Sequence, residues 1–599
     1  MGVKRVKRSD FFKQISGCPL AMRNGWMRQA VQAKYRGGEH NAYAGDYEQP
    51  IVLIFYGGGE TNLCNLHHRA LAENCAAHLW RSRGWVAAVE PVAAVTDAIS
   101  MGHSYAEDPR LSAMGYSLFS RELFASSVVQ QMEINRADAA IIITGCDKTV
   151  AGGMLAASWL KELPVVLLHG GTIRAGCTAG GRPVQIETAA EAAGMLAAQV
   201  IDEKEHDEIL VNALPSPGGC GVMATSNTLA VLASTLGISV FSSASTPAMD
   251  DNHRDIFPAK LAEAQMAGVH LMKMWDDQVS LGDIVDERSF DNAATMLHAI
   301  GGSTNAVVHL PAIAEGFGIT FGQEHIREKS ATPVLLNLMP AGKFVMVDLY
   351  ERAGGLPPLA RYMADNGLLD ASARTIGGAT LGELLGEVSP PVFADPENEV
   401  IRPLASPVKS RSSLVIVKGD HSTDATTCIA PRGCVFKLNS TQMEFEGPAR
   451  VFDRESEAVA AVLQGRIVDG DIIVLRYQGV TVGCPELLRL TSALSGMGSD
   501  ARIAIVTDGR LSGVSRGTLV VHVEPEAWRG GSIALIEEGD IIRLDGNDEL
   551  LFVRVDAEEM AQRKSQWQRP ELQLPRGPLR IASQIVRPLE EGALWWPRG

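Results

Sequence analysis

The chain has no excess of positive charge, no apolar run long enough to cross a bilayer and no cysteine pair at metal-knuckle spacing. Each absence removes a class of function. Over 599 residues the formal charge is −16, whereas general nucleic-acid binders need a basic surface to displace phosphate counterions. No stretch reaches the roughly 18 apolar residues that span a membrane. The basic start, Lys4, Arg5, Lys7 and Arg8, runs into Ser9, Asp10, Phe11 and Phe12, so it reads as a solvated tail and not as a secretory signal. The nine cysteines are widely scattered and odd in number, which argues against a disulfide framework and for thiols or metal ligands in a cytoplasmic setting. No low-complexity tract and no repeat is visible. At 46% hydrophobic and 21% charged residues, the composition is that of a soluble globular enzyme of several domains.

What is present falls into two textures. From about residue 50 to 245, short apolar runs bounded by glycine alternate with amphipathic segments, an α/β pattern with a parallel sheet. Ala139–Thr144 and Pro164–His169 read as buried strands, Met154–Leu160 and Leu229–Leu236 as helical, and Ile238–Phe241 as a short strand. Residues 255–385 read as mostly helical, ending in a proline-rich loop, 389–396. After about residue 400 the runs become β-type: Ser413–Val417, Asp471–Arg476, Ile503–Val506 and Ser532–Ile536. The expected architecture is a large α/β domain over 1–390 and a β-rich, barrel-like domain over 400–585.

Three cysteines stand in polar or glycine-rich settings, unlike core cysteines: Cys64 after Asn62 and before Asn65, Cys146 between Gly145 and Asp147, and Cys220 after Gly218 and Gly219. Their separation matches no local zinc or ferredoxin spacing, so taken singly each could be structural. Cys18, Cys75, Cys177, Cys428, Cys434 and Cys484 have less distinctive surroundings and read as structural or incidental. Asp97, Asp147 and Glu486 lie at loops, where a carboxylate is usually a cap or solvated turn, but convergent carboxylates are what Mg²⁺ requires. Ser512, in Thr507–Gly513, is not in an esterase elbow and has no triad histidine in view. The turn Gly301–Asn305 could bind an anion through its backbone N–H groups.

Taken together and in order, Thr144–Lys148, Pro215–Cys220, Gly301–Asn305, Thr507–Gly513 and His522–Ala527 resemble the dihydroxy-acid and sugar-acid dehydratase family, which includes 6-phosphogluconate dehydratase. The resemblance covers nearly the whole chain. It implies that Cys64, Cys146 and Cys220 ligate an iron-sulfur cluster with one open iron, a three-cysteine set like that of 2Fe-2S members rather than 4Fe-4S ones. It implies Mg²⁺ held by Asp97, Asp147, Glu486 and Lys148, the last as a carbamate, since an ammonium cannot ligate a cation. Ser512 matches the family's base for the C2 proton. Ser303, Thr304 and Asn305 match substrate-binding positions. A small hydroxy acid is the expected partner, with no nucleic acid or membrane, and a homodimer or homotetramer the expected assembly.

The chain departs from the family pattern at Gly57–Asn62 before the first cysteine, at Thr481–Glu486 where Gly-Pro-Gly-Met-x-Glu is usual, and at Thr96-Asp97-Ala98 where Ser-Asp-Gly is commoner. Leu336–Lys343 and Arg352–Gly355 resemble the sugar-acid branch, so the expected reaction is dehydration of an aldonate to its 2-keto-3-deoxy acid. The alternatives are a dihydroxy-acid dehydratase of valine and isoleucine synthesis and a noncatalytic relative that only binds.

Overall fold

The structure is a computed structural model and describes residues 50–94, 97–100, 112–394, 399–438 and 443–596. The basic start, Cys18, Thr96 and part of the proline-rich loop lie outside the described residues. Among the described residues no helix is long and apolar enough to cross a membrane.

Four strands, β1 (Ile51–Gly58), β2 (Val86–Ala93), β3 (Ala139–Thr144) and β4 (Val165–His169), form a parallel sheet in the order β2-β1-β3-β4. Such a sheet is covered on both faces and its strands are apolar throughout rather than alternating. β3 and β4 are accordingly buried at every residue. Helices His68–Arg83, Gly115–Asn135, Asp147–Trp159 and Pro258–Asp277 connect and cover the strands. The chain moves outward from β1 to β2 and then crosses back to β3. That reversal opens a crevice at the carboxyl ends of β1 and β3, where open α/β sheets place their ligands.

A short hairpin, β5 (Gly176–Cys177) and β6 (Pro183–Val184), precedes the helical middle of the chain. The second unit is a nine-stranded mixed sheet, the barrel-like domain expected from the β-type runs. Its strands are β7 (Leu414–Val417), β8 (Thr427–Cys428), β9 (Gly433–Lys437), β10 (Glu444–Phe452), β11 (Ile472–Leu475), β12 (Ala504–Thr507), β13 (Thr518–Glu524), β14 (Ile541–Asp545) and β15 (Leu550–Val553). They lie in the order β7-β9-β13-β12-β11-β10-β14-β15-β8, with β10 to β13 parallel to their neighbours through the centre.

Two expected strands take another form. Ser239 makes a single bridge to Leu167, and the chain then turns into a 3₁₀ helix over Phe241–Ala244. The Ser243 hydroxyl donates to the Val240 carbonyl at 2.7 Å, and such local bonds draw serine-rich chain out of a ladder. Ser532–Leu535 is likewise 3₁₀. A short apolar run buried by its neighbours cannot be told from a strand by periodicity. The helix expected from Met154 begins earlier, at Asp147, directly after Cys146.

A buried arginine of the first unit reaches a carbonyl of the second. Arg121 and Glu122 are both fully buried and 2.6 Å apart. Arg121 also donates to the Gly592 carbonyl at 2.9 Å and bonds to His309 at 3.0 Å. An Arg121→Met substitution leaves Glu122 without its cation and the chain's last turn without its donor. Removing one member of a buried pair costs about 3–5 kcal/mol, so the denaturant midpoint should fall by a matching amount in equilibrium unfolding followed by circular dichroism.

Candidate active site

The carboxyl ends of the parallel strands supply most of the site. Cys64 follows β1 in a short 3₁₀ turn, Leu63–Asn65. Asp97 follows β2, at the start of a helical turn. Cys146, Asp147 and Lys148 follow β3, with Cys146 in the N-cap position of helix Asp147–Trp159. Cys220 comes from the loop before helix Thr225–Thr235, which packs against helix Asp147–Trp159. Gly218 has φ +137°, and a Cβ on Gly219 would lie 2.8 Å from the Gly145 carbonyl oxygen. Glycines let that loop press against the β3 end. The Asn227 amide then donates to the Cys220 and Val222 carbonyls, both at 2.6 Å.

The second domain closes the crevice. Glu486 follows β11 and bridges in parallel to Arg510, which follows β12 on the turn that carries Ser512. Cys64, Cys146, Cys220, Asp97, Asp147, Glu486 and Ser512 line one cavity of about 250 Å³. Its other walls include Ile173, Ile186, Leu214, Leu488 and Val514.

Lys148 lies beneath the cavity floor. Its ammonium donates to Asp147, to Glu486 at 3.0 Å and to Asp97 at 3.2 Å. Although burial opposes it, these carboxylates hold Lys148 protonated well above the usual lysine range. Against the cost of its own burial, Lys148 holds Asp97 down to about 2. Burial and the charge of Asp97 push Asp147 well up, as expected when neighbouring carboxylates share one cation. The ligand oxygens of Asp97, Asp147 and Glu486 all lie within 4.8 Å of one another. Three hard oxygens at that spacing suit Mg²⁺.

The cysteines present a different donor set. Burial pushes the Cys146 and Cys220 thiols well above the ordinary value, and the neighbouring acids add to it. Thiols so placed become thiolates only against a metal's charge. Cys64, Cys146 and Cys220 line the same cavity, three soft donors of the kind that iron-sulfur clusters take. Next to Cys64, the buried amides of Asn62 and Asn65 have no hydrogen-bond partner among the described residues. The donor set thus fits an iron-sulfur cluster beside a magnesium ion.

Ser303, Thr304 and Asn305 do not line the cavity. They are buried behind it. The Asn305 amide donates to Glu486 and to the Thr225 hydroxyl, both at 2.9 Å, and Ser303 bonds to Thr225 at 2.9 Å. The turn braces a carboxylate instead of offering N–H groups to an anion. Arg510, also fully buried, donates to Glu486 at 3.0 Å and to the Cys484 carbonyl at 2.8 Å. Its place inside the Thr507–Gly513 block is the mark that the sequence carries for it. Ser226, whose hydroxyl holds the Gly145 carbonyl at 2.5 Å, has none.

Comparison with known proteins decides the family. Residues 49–384 match the dihydroxy-acid/6-phosphogluconate dehydratase N-terminal family, and residues 399–593 its C-terminal counterpart. The chain belongs to this dehydratase family. It is 36% identical over 553 residues to a dihydroxy-acid dehydratase of Methylococcus capsulatus, covering 92% of this chain and 93% of that protein. Similar relatives of the same name come from Francisella tularensis subsp. novicida, at 35% over 95% of this chain and 98% of that protein, and Aeropyrum pernix, at 36% over 92% and 94%. The protein is a hydro-lyase, and a noncatalytic binding role is set aside.

The sugar-acid preference finds no support in these names, and the residues that suggested it lie away from the cavity. Leu336 and Leu338 are core residues, and Asn337 caps its own loop by accepting from the Lys343 N–H at 3.1 Å. The Arg352 guanidinium stacks over Phe344, 4.5 Å from the ring centre. None of these side chains reaches the cavity.

Because Asn305 touches Glu486 and no cavity space, Asn305→Ala should weaken Mg²⁺ binding by about 10- to 100-fold, the usual effect of losing a ligand's outer partner. Isothermal titration with Mg²⁺ measures it.

Proposed function

We propose that this dehydratase converts a short 2,3-dihydroxy carboxylic acid with a branched alkyl end, such as 2,3-dihydroxyisovalerate, to the 2-keto acid. The observation that carries this reading is the apolar wall formed by Ile173, Ile186, Leu214, Leu488 and Val514 in the cavity that the carboxylates and cysteines also line. An alkyl group is favourable against such a wall. The extra hydroxyls of an aldonate would lose water there and find few partners, a cost of about 1–3 kcal/mol for each unsatisfied group. The names carried by the relatives support the same choice.

Asp97, Asp147 and Glu486 would hold Mg²⁺, joined by Lys148 once its ammonium is replaced by a carbamate oxygen. Cys64, Cys146 and Cys220 would hold a 2Fe-2S cluster, three ligands leaving one iron position open. When bound, the two groups supply Lewis-acid charge for the substrate's carboxylate and hydroxyls. The chain itself does the rest. Ser512, in the cavity wall, takes the C2 proton as its alkoxide. The electron pair left at C2 expels the C3 hydroxyl, which leaves as water with the proton that Ser512 accepted, and the enol becomes the 2-keto acid by losing its O–H proton and gaining one at C3. Arg510 and Asn305 keep Glu486 fixed, so the metal ligands need no rearrangement as charge develops.

Purified anaerobically with its cluster, the enzyme should turn over 2,3-dihydroxyisovalerate with kcat/KM at least about 10²-fold above that for any C5 or C6 aldonate, the discrimination available when hydroxyls lack partners. Activity confined to aldonates would overturn the substrate assignment. Ser512→Ala should retain the cluster's visible absorption and lose about 10²–10⁴-fold in kcat, the range for removing a positioned acid-base group.

A further inference from the structure

The turn that carries Ser512 is gripped from behind by a lysine that the reaction scheme above leaves unused. Lys437 ends β9, paired in register with Leu414 on β7 and Leu519 on β13. It is buried, 9% exposed. Its ammonium donates to the Gly513 carbonyl at 2.9 Å, one residue beyond Ser512. On the opposite side the Gly513 backbone is pressed against the start of helix Thr225–Thr235, where an added Cβ would lie 2.6 Å from the Thr225 nitrogen. The Ser515 N–H donates to the Ser512 carbonyl at 3.0 Å, and the Ser515 hydroxyl bonds to Thr491 at 2.8 Å. The serine is therefore set on a turn clamped at Gly513 between a helix end and a lysine.

Lys437 is costly where it stands. Among the described residues it has no carboxylate within ion-pair distance, although the structure holds many such pairs elsewhere. Burial, then the charges of Lys409 and Arg516, bring it down to about 7. Lys409 is itself turned to the Ser413 hydroxyl at 2.8 Å, and Arg516 is paired with Glu191. In either protonation state Lys437 keeps an N–H for the Gly513 carbonyl. An apolar side chain of the same length would fill this space at lower desolvation cost. Buried polar groups that break the local rules without a stabilising return concentrate at functional sites.

We propose that Lys437 is the positioning residue of the Ser512 turn, fixing the serine hydroxyl toward the carboxylate pocket through the Gly513 carbonyl. The inference rests on Ser512 acting as the C2 base, and it adds the element that aims it.

Lys437→Met keeps the volume and the apolar packing and removes the donor. In the cluster-loaded enzyme the cluster absorption and Mg²⁺ affinity should stay as in the parent and KM should change less than about threefold. The kcat should fall about 10- to 100-fold, as for displacements of up to about 1 Å in a reacting group. The deuterium isotope effect with C2-deuterated substrate should rise, because proton removal becomes slower than the other steps. Adding Lys437→Met to Ser512→Ala should cost nothing further, since a residue that acts through the serine has no effect once the serine is gone. Lys437→Gln, which retains a donor on a shorter arm, should fall between parent and Met in kcat, and it takes the place of Met if that variant loses the cluster. An unchanged kcat and isotope effect in Lys437→Met, or a full additive loss in the double variant, would overturn the assignment while leaving Ser512 as base. If Ser512→Ala alone stays active, the base assignment fails and the positioning role with it.

Discussion

Three buried carboxylates cannot share one pocket without positive charge, and that constraint organises the centre of this protein. Asp97, Asp147 and Glu486 arrive from loops far apart in the chain, and Lys148 meets all three. Two of the carboxylates come from the parallel-sheet domain and the third from the mixed-sheet domain. The cation is thus an electrostatic pin between domains as well as a site residue. Arg510 adds a second cation to Glu486 from within the mixed sheet. The desolvation cost of burying such a group is large. It is tolerable here because each charge has an opposite partner at hydrogen-bond distance and because a divalent cation can take over the neutralisation when it binds.

The two candidate ligand sets line one cavity yet differ in kind. Hard carboxylate oxygens are gathered tightly by hydrogen bonds from Lys148, Asn305 and Arg510. The sulfurs are soft donors, and burial keeps those of Cys146 and Cys220 protonated until a metal displaces the proton. Selectivity between magnesium and iron-sulfur chemistry then follows from ligand type. The apolar wall on the remaining side has no part in either set. On the proposed reading it would face the end of the substrate that does not react, where an alkyl group and a polyol differ.

Much of this could be read from the residues themselves, and the limits have physical reasons. The strands β3 and β4 were legible because strands buried on both faces are apolar throughout. Cys146 and Cys220 stood out because polar, glycine-rich surroundings are unusual for a core thiol, but only the ordered family blocks joined them into one candidate set. The single residues whose meaning depends on a partner across the fold were not legible. Asn305 sits in a glycine-rich turn that suggests anion binding, and only the position of Glu486 from the other domain turns it into a brace. Lys437 lies at the end of an apolar strand where nothing nearby in sequence announces the Ser512 turn. The segments that suggested a sugar acid, Leu336–Lys343 and Arg352–Gly355, are core and stacking elements. Similarity in such places reports first on packing.

The Arg121 guanidinium has a further consequence for how the chain comes to be folded. Its acceptor at Gly592 is 471 residues further along the chain, so during synthesis the helix Gly115–Asn135 emerges long before the carbonyl that completes its buried hydrogen bonds exists. Until the last turn is made, Arg121 and Glu122 have only each other and His309. The first domain can assemble its sheet early, but its interior is completed only once the chain has been made as far as Gly592. In sequence the protein has two parts, and in the order of its making they are closed by one late clasp.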